Sequence, residues 1–510
     1  MTLTHKVEDR RVIPRWRDTR VAVEMGEASS LRPPRAASTE QVSAQIASHL
    51  NQLRVAFAAR PSIGRAAELT SAAALAARPQ VAEDAAEYLL LHADDTTPTA
   101  LSTARDVLGL QMEAPPLRLV TPSLGMDRLQ EEVRRLKAVV RAFPRSPLAH
   151  VDLARMYAAL GVLAKAERHL TVALGLAPHH RLTLRAAVRF HLHAHDPREA
   201  VRLLRQQPLT LQDPWLMAAE ISAAMVAGLP PRSVKRAREV LEHREFSPLH
   251  SSELAAALGT LDLTDGKTKR VRKLFQQALE RPTENAVAQV QWAAPHVRLE
   301  LKEAQLVDVP RNFEARGQDS YEARNYEDAR AAFVSWLQDE PFSSTPAIMA
   351  GYLSHLLDET PGQAIELTKL GLTATPEEDT LLNNMAFYLA DAGQLDRAER
   401  YLARAQAVAP ANELGLTLRA TEGLIAFRRG DPVRGAALYE DALRAARALK
   451  NTEREVLARL YYARELTRTR DPQAPALLAE AYAAALKFGE SGAVLTAQRV
   501  RADAEALLMA

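Results

Sequence analysis

Three alanines, Ala329, Ala364 and Ala398, and three prolines, Pro341, Pro376 and Pro410, advance in step, each set spaced by 35 and then 34 residues. A shared period near 34 marks one supersecondary unit copied along a chain. Each copy reads as a helix, a turn, a second helix carrying the alanine, and a proline at the exit. The expected fold is therefore all-α, a helical solenoid. Such a stack presents surfaces, and the period by itself names no ligand.

Composition agrees with the period. The chain is 47% hydrophobic but only 5% aromatic, and alanine and leucine dominate, which lets helices approach closely. Its 29 prolines fall mostly between apolar runs, where they stop helices; inside one, each would cost about 3 kcal/mol. The 54 arginines against 11 lysines, with the alanine content, fit a high-GC bacterial coding bias. There is no cysteine, which excludes disulfides, thiolate metal sites and cysteine nucleophiles. Met1 to Arg20 is studded with charge and lacks the apolar core of a secretory signal. No uninterrupted apolar run approaches 18 residues, so no membrane partner is expected and the location expected is the cytoplasm. A net charge of +2 is far below that of a dedicated non-specific nucleic-acid binder.

Residues 1–36 mix charge with Pro14, Pro33 and Pro34 and read as a basic arm, disordered alone. Residues 37–115 form a helical block whose apolar spacing, through Val42, Ile46, Leu50, Leu53 and Phe57, is helical without a clear repeat. A linker is expected at 116–125. A first array follows over 126–290. Its clearest unit, Pro147 to Pro178, holds Leu153, Ala154, Tyr157, Ala166, Leu170 and Ala173, and Leu258, Gly259, Phe275 and Ala278 mark a later copy. At 291–310, Val297, Leu299 and Leu301 alternate with polar residues and suggest a short strand or an irregular connection between arrays. The second array spans 311–510, with 492–508 expected as a terminal cap. Asp196-Pro197, Asp431-Pro432 and Asp471-Pro472 each read as an N-cap followed by a first-turn proline.

This pattern of small, aromatic and leucine positions over roughly 147–480 resembles the tetratricopeptide repeat (TPR) family. The resemblance implies a TPR-like superhelix in two arrays. It also implies that first helices line a concave face and bind partner peptides. In that register Arg155, Arg185 and Arg189 fall on the inner surface of the first array, where guanidinium forks would suit an acidic segment. Asn383, Asn384, Phe387 and Arg428 take equivalent places in the second array. Asn384 resembles the family residue that holds a ligand backbone amide, although the cations that clamp a terminal carboxylate in chaperone-binding members are not reproduced around it.

Other features carry less chemistry. Gly266-Lys267-Thr268 lacks the first glycine of a phosphate loop, because position 261 is Leu261. His191 and His195 are four apart and could share a metal, but no acid lies between them, and neither a metal nor another cofactor is expected. No catalytic motif is present and no enzyme is expected. Lys267, Lys269, Arg270, Arg272 and Lys273 put five positive charges in seven residues, echoed by Arg232, Lys235, Arg236 and Arg238; this stripe could meet phosphate on the convex face. Arg15, Trp16 and Arg17 in the arm combine side chains enriched at binding hot spots. The sequence thus points to a non-enzymatic scaffold that binds another protein. The alternative is an RNA- or DNA-associated regulator using the stripe and the arm.

Overall fold

The computed structural model describes residues 39–75, 78–109, 126–297, 299, 301, 306, 309, 311–358, 360–408 and 413–509. The described residues form 25 α-helices and no strand. They divide into two compact units, one within 18–122 and one within 123–510. The arm residues Arg15, Trp16 and Arg17 lie outside the described residues. None of the helices is long and apolar enough to cross a membrane.

The smaller unit holds α1 (Thr39–Ala59), α2 (Ile63–Leu75), α3 (Glu83–Leu91) and α4 (Pro98–Val107). Prolines punctuate it as expected: Pro61 follows α1, Pro79 opens a single 3₁₀ turn, and Pro98 is the first residue of α4. Leu50, Phe57, Leu69, Leu89 and Val107 meet in its core, with alanines at the close crossings.

The larger unit begins with α5 (Met126–Ala142) and continues as hairpins. The first four are α6 (Pro147–Ala159) with α7 (Leu163–Leu176), α8 (Arg181–His193) with α9 (Pro197–Arg205), α10 (Pro214–Val226) with α11 (Val234–Glu242), and α12 (Pro248–Thr264) with α13 (Thr268–Ala278). A lone α14 (Glu284–Val297) joins them to the next series. That series is α15 (Phe313–Glu322) with α16 (Tyr326–Asp339), α17 (Ser344–Leu357) with α18 (Gly362–Ala374), α19 (Asp379–Asp391) with α20 (Leu395–Val408), α21 (Glu413–Arg428) with α22 (Pro432–Ala448), and α23 (Thr452–Arg468) with α24 (Ala474–Phe488). The chain ends in α25 (Ser491–Met509). First helices touch their successors from α6 to α12 and from α17 to α23, so they line the inner, tighter face of a TPR-like superhelix.

One packing device recurs inside the hairpins. Gly259, Gly317 and Gly423 each lie against an aromatic ring sixteen residues downstream, Phe275, Phe333 and Tyr439. A Cβ at Gly317 would come within 2.8 Å of the Phe333 ring. Overpacking of this kind costs about 1–3 kcal/mol, so these glycines set the distance between the paired helices. Ala329, Ala364 and Ala398 sit fully buried at the equivalent crossings on the second helices. The caps follow the sequence in part. Asp196 and Asp431 accept the backbone N–H three residues on, at the starts of α9 and α22. Asp471 instead accepts from Gln473 in a turn, and α24 begins only at Ala474.

One other expectation is corrected. The segment 291–297 is helical, as the end of α14: Val290, Ala293 and Val297 keep helical spacing, and Leu299 and Leu306 lie buried beyond it. An alternation judged over Val297, Leu299 and Leu301 starts inside the helix and so mistakes its last turn for a strand. The final helix does not merely close the stack. Ala493, Val494, Thr496, Ala497 and Val500 are buried as α25 packs on α23 and α24 and turns back over the inner face of α17. Tyr352 there donates to Gly492 O (3.1 Å), Tyr326 donates to Ser491 O (2.9 Å) and Arg499 donates to Asp358 O (2.9 Å).

The superhelix also meets itself. Phe342 and Ala374 of the second series join the core formed by Val133, Leu153, Tyr157 and Phe190 of the first. Arg155 on α6 donates to Asp339 O across this seam (2.9 Å). A Cβ at Gly161, in the α6–α7 turn, would stand 2.3 Å from Thr373 O on α18.

Candidate functional site

The inner face of the first array is closed by its own charges. Arg185 on α8 is buried, forms an ion pair with Glu253 on α12 (2.9 Å) and lies over the Trp215 ring of α10 (5.2 Å). Arg181 pairs with fully buried Asp213, whose second oxygen caps α10 at Trp215 N. Glu220 on α10 accepts from Arg205 and from the backbone N–H groups of Arg232 and Ser233 at the start of α11. Buried ions of this kind must be paired to be tolerated. Of the three arginines placed by register on this face, Arg185 is thus engaged within the fold. Arg155 is engaged with the seam. Arg189 lies over the Phe342 ring (4.9 Å) beside His193, whose burial, with Arg189 nearby, holds its pKa down to about 3.

The second array keeps an opening. A cavity of about 100 Å³ lies between α17, α19, α21 and α23 on the inner face. Tyr352 and His355 line it from α17, Asn383, Asn384, Phe387 and Tyr388 from α19, and Thr417 and Thr421 from α21. Arg454, Leu457 and Tyr461 complete it from α23. Its floor is aromatic: His355 stacks on Tyr388 (4.9 Å between rings), and Phe387 meets both His355 (5.2 Å) and Tyr461 (4.9 Å) edge to face. These rings hold one another in place.

Beneath the floor lies a buried knot of charge. Asp391 at the end of α19 pairs with Arg428 (2.8 Å) and Arg464 (3.0 Å), and Glu465 pairs with both arginines (2.6 and 3.0 Å). Burial pushes the Asp391 carboxyl up, but Arg464, His355 and Arg428 outweigh it and hold its pKa near 2. His355 is the neutral neighbour. Burial lowers its pKa to about 4, although Asp391 pulls the other way. Its Nε2 faces Asp391 Oδ2 at 3.6 Å, and its Nδ1 has no hydrogen-bond partner among the described residues.

The polar lining is unevenly satisfied. Asn383 accepts from Thr421 Oγ1 (2.8 Å), while Asn384 makes no side-chain hydrogen bond among the described residues. Among the described residues, Thr417 Oγ1 is buried without a hydrogen-bond partner and half-buried Arg454 has no ion-pair partner. Asn383, Asn384 and Phe387 are thus brought together at one cavity. Arg428, expected on the same surface, is drawn instead into the charge knot. His355, Thr417, Arg454 and Tyr461 were not singled out from sequence. A lone histidine in the otherwise apolar Ser344–Leu357 segment was the available signal.

The basic stripe is partly neutralised. Lys267 pairs with Asp265 (2.6 Å), Arg236 with Glu245 (2.6 Å) and Arg238 with Asp262 (2.7 Å). Arg270, Arg272 and Lys273 are exposed with no acidic partner among the described residues; the Lys269 side chain lies outside them. Arg270 and Lys273 border a groove of about 710 Å³ between α11 and α13. His191 is half-buried on α8 and burial lowers its pKa, whereas His195 stands in the following turn with φ 58°. Among the described residues no three His, Asp or Glu side chains converge as metal ligands. Gly266 sits in the α12–α13 turn with φ +74°, away from any strand.

No family model matches the chain, and no curated protein matches it in sequence. Solved structures do resemble it. Yeast Tom70 is 16% identical over 75% of this chain and 93% of its own, with a TM-score of 0.29. The human IFIT1 dimer with PPP-AAAA is 16% identical over 74% and 95%, with a TM-score of 0.36. The APC/C hetero-tetramer Cut9-Hcn1 is 11% identical over 90% and 94%, with a TM-score of 0.39. No function follows from likenesses at this level.

Proposed function

We propose that the chain is a non-enzymatic scaffold that holds a segment of a partner protein along the inner face of its second array. The observation that carries this reading is the cavity between α17, α19, α21 and α23, where Asn383, Asn384 and Phe387 converge and buried polar atoms remain unpaired. Pockets of this make-up, apolar with a few unsatisfied polar groups, are where ligands bind. Rigid stacked helices would present these side chains already ordered, so the partner segment bears most of the ordering entropy. The first array has the weaker claim, because Arg185 is spent on Glu253.

The test is capture by the tagged full-length chain from its own cells, with and without nuclease. A near-stoichiometric protein partner that survives nuclease, and is lost from the Asn384→Ala, Phe387→Ala double variant with helical circular dichroism unchanged, is expected. Retention of the partner by that variant would remove the second-array groove from consideration.

One observation supports a second reading, contact with nucleic acid. Arg270, Arg272 and Lys273 stand exposed without acidic partners among the described residues, and two of them border the convex groove. Binding through phosphates would fall steeply with salt and would fall again in Arg270→Glu. No aromatic ring lines that groove, so base stacking would contribute nothing.

A further inference from the structure

We infer that the second-array cavity is a socket for one tyrosine side chain of the partner segment, with His355 Nδ1 accepting the hydrogen bond of the phenol. This rests on the reading of that inner face as the partner's binding surface, and it specifies what enters.

Size comes first. The cavity, about 100 Å³, is of the order of the engineered apolar cavity of roughly 150 Å³ that takes up benzene. A single ring entering from the inner face matches it; a helix or a pair of side chains does not. Its mouth is marked by the partly exposed Thr417, Ala420 and Leu457, and its floor by the buried Tyr388 and Tyr352. Rings already set edge to face, Phe387 on His355 and on Tyr461, leave the same geometry available to a further ring.

Polarity then selects among rings. The Asp391 carboxylate faces Nε2 of His355 and favours the tautomer with the proton there. The other nitrogen, Nδ1, is then a lone-pair acceptor, and it is buried without a partner among the described residues. Thr417 Oγ1, also buried and unpartnered, can donate or accept. A phenylalanine or leucine would bury both atoms against carbon and leave them unsatisfied, which is costly. A phenol supplies one O–H for His355 and one acceptor for Thr417. Lysine and arginine are disfavoured as guests, because Arg454 lines the cavity without an acid and Arg464 lies 5.1 Å from the Tyr461 ring. The backbone of the guest segment would pass Asn384, whose amide has no other side-chain hydrogen bond among the described residues.

The experiment uses two probes that differ by one hydroxyl, N-acetyl-tyrosinamide and N-acetyl-phenylalaninamide, titrated into the full-length chain by calorimetry and ligand-observed NMR. About tenfold tighter binding of the tyrosine probe is expected, which corresponds to one net hydrogen bond. The preference should vanish in His355→Leu and shrink in Thr417→Val, the second variant guarding against a folding defect in the first. Ala458 also lines the cavity from α23, and Ala458→Phe, which fills it, should abolish binding of both probes. Equal binding of the two probes, or binding of neither, overturns the inference, as does an undiminished preference in His355→Leu. Probe binding needs no partner protein, so its failure leaves the capture result standing. A chain that binds the tyrosine probe yet captures no partner would instead sink the scaffold reading.

Discussion

The two arrays share one hairpin design and differ in how their inner faces are finished. In the first, charge is answered by charge from a later hairpin: Arg181 by Asp213, Arg185 by Glu253, Arg205 by Glu220. In the second, the ions are gathered into one knot around Asp391 and Glu465. The face above that knot keeps a ring-lined cavity with spare polar atoms. A repeat fixes where side chains stand. Whether a given arginine is available to a partner depends on what the next repeat brings opposite it.

The largest expected effect tests whether the first face is truly sealed. Arg181→Met would leave Asp213 buried without its ion, a loss of about 3–5 kcal/mol in denaturant unfolding. A change below 1 kcal/mol would mean that Asp213 is not dependent on Arg181 and that the contrast between the faces is overdrawn.

Acid should strike next, and at both faces. The unfolded chain takes up a proton on histidine near pH 6.5, whereas burial keeps His355 neutral down to about pH 4 and His193 down to about pH 3. Stability is therefore complete above pH 6.5 and declines as the pH falls from there toward 4. The part belonging to His355 is about 3 kcal/mol. Asp391, held near pH 2, adds its loss only below about pH 4. Urea midpoints measured from pH 7 to 4.5 should fall steadily, and His355→Leu should flatten the curve. A flat wild-type profile would break the assignment of a buried neutral His355.

Glycines sharpen the comparison at the level of turns. Gly161 and Gly228 both have positive φ, but only Gly161 faces another backbone, that of Thr373. Alanine at Gly228 should cost about 1 kcal/mol of left-handed strain. Alanine at Gly161 should cost clearly more, because Thr373 cannot move as a side chain could. Equal melting temperatures for the two variants would argue that the seam contributes little.

The smallest effect is expected in the second array. Thr417→Val removes a hydroxyl that has no partner, so stability should change by less than about 0.5 kcal/mol, or rise. A loss above 1 kcal/mol would show that the hydroxyl is already satisfied and the cavity is not waiting for a guest.

The sequence made the hairpins legible because their signals are local. The 34-residue period, the small residues at Gly259 and Ala329, and the caps at Asp196 and Asp431 all act within one repeat. Asn383, Asn384 and Phe387 could be grouped because they share one helix. What escaped is what depends on distance along the chain. Arg185 finds Glu253 on a helix two hairpins on, and Arg428 finds Glu465 on the next inner helix. The cavity itself needs side chains from Tyr352 to Tyr461 to exist at all. The alternation after Val297 misled for the opposite reason, being read too locally, without the helix that precedes it.

The seam between the arrays changes what kind of object the larger unit is. An open solenoid is nearly one-dimensional: each repeat touches only its neighbours, and its ends can fray while the middle stands. Here Phe342 and Ala374 lie in the same core as Leu153 and Phe190, and Arg155 grips Asp339 O. The winding is thus fastened to itself, like a coil whose turns have been soldered. A pull on one array is carried to the other through that joint as well as along the chain. Stretching or melting the unit should then give one sharp release rather than a ladder of repeat-sized steps.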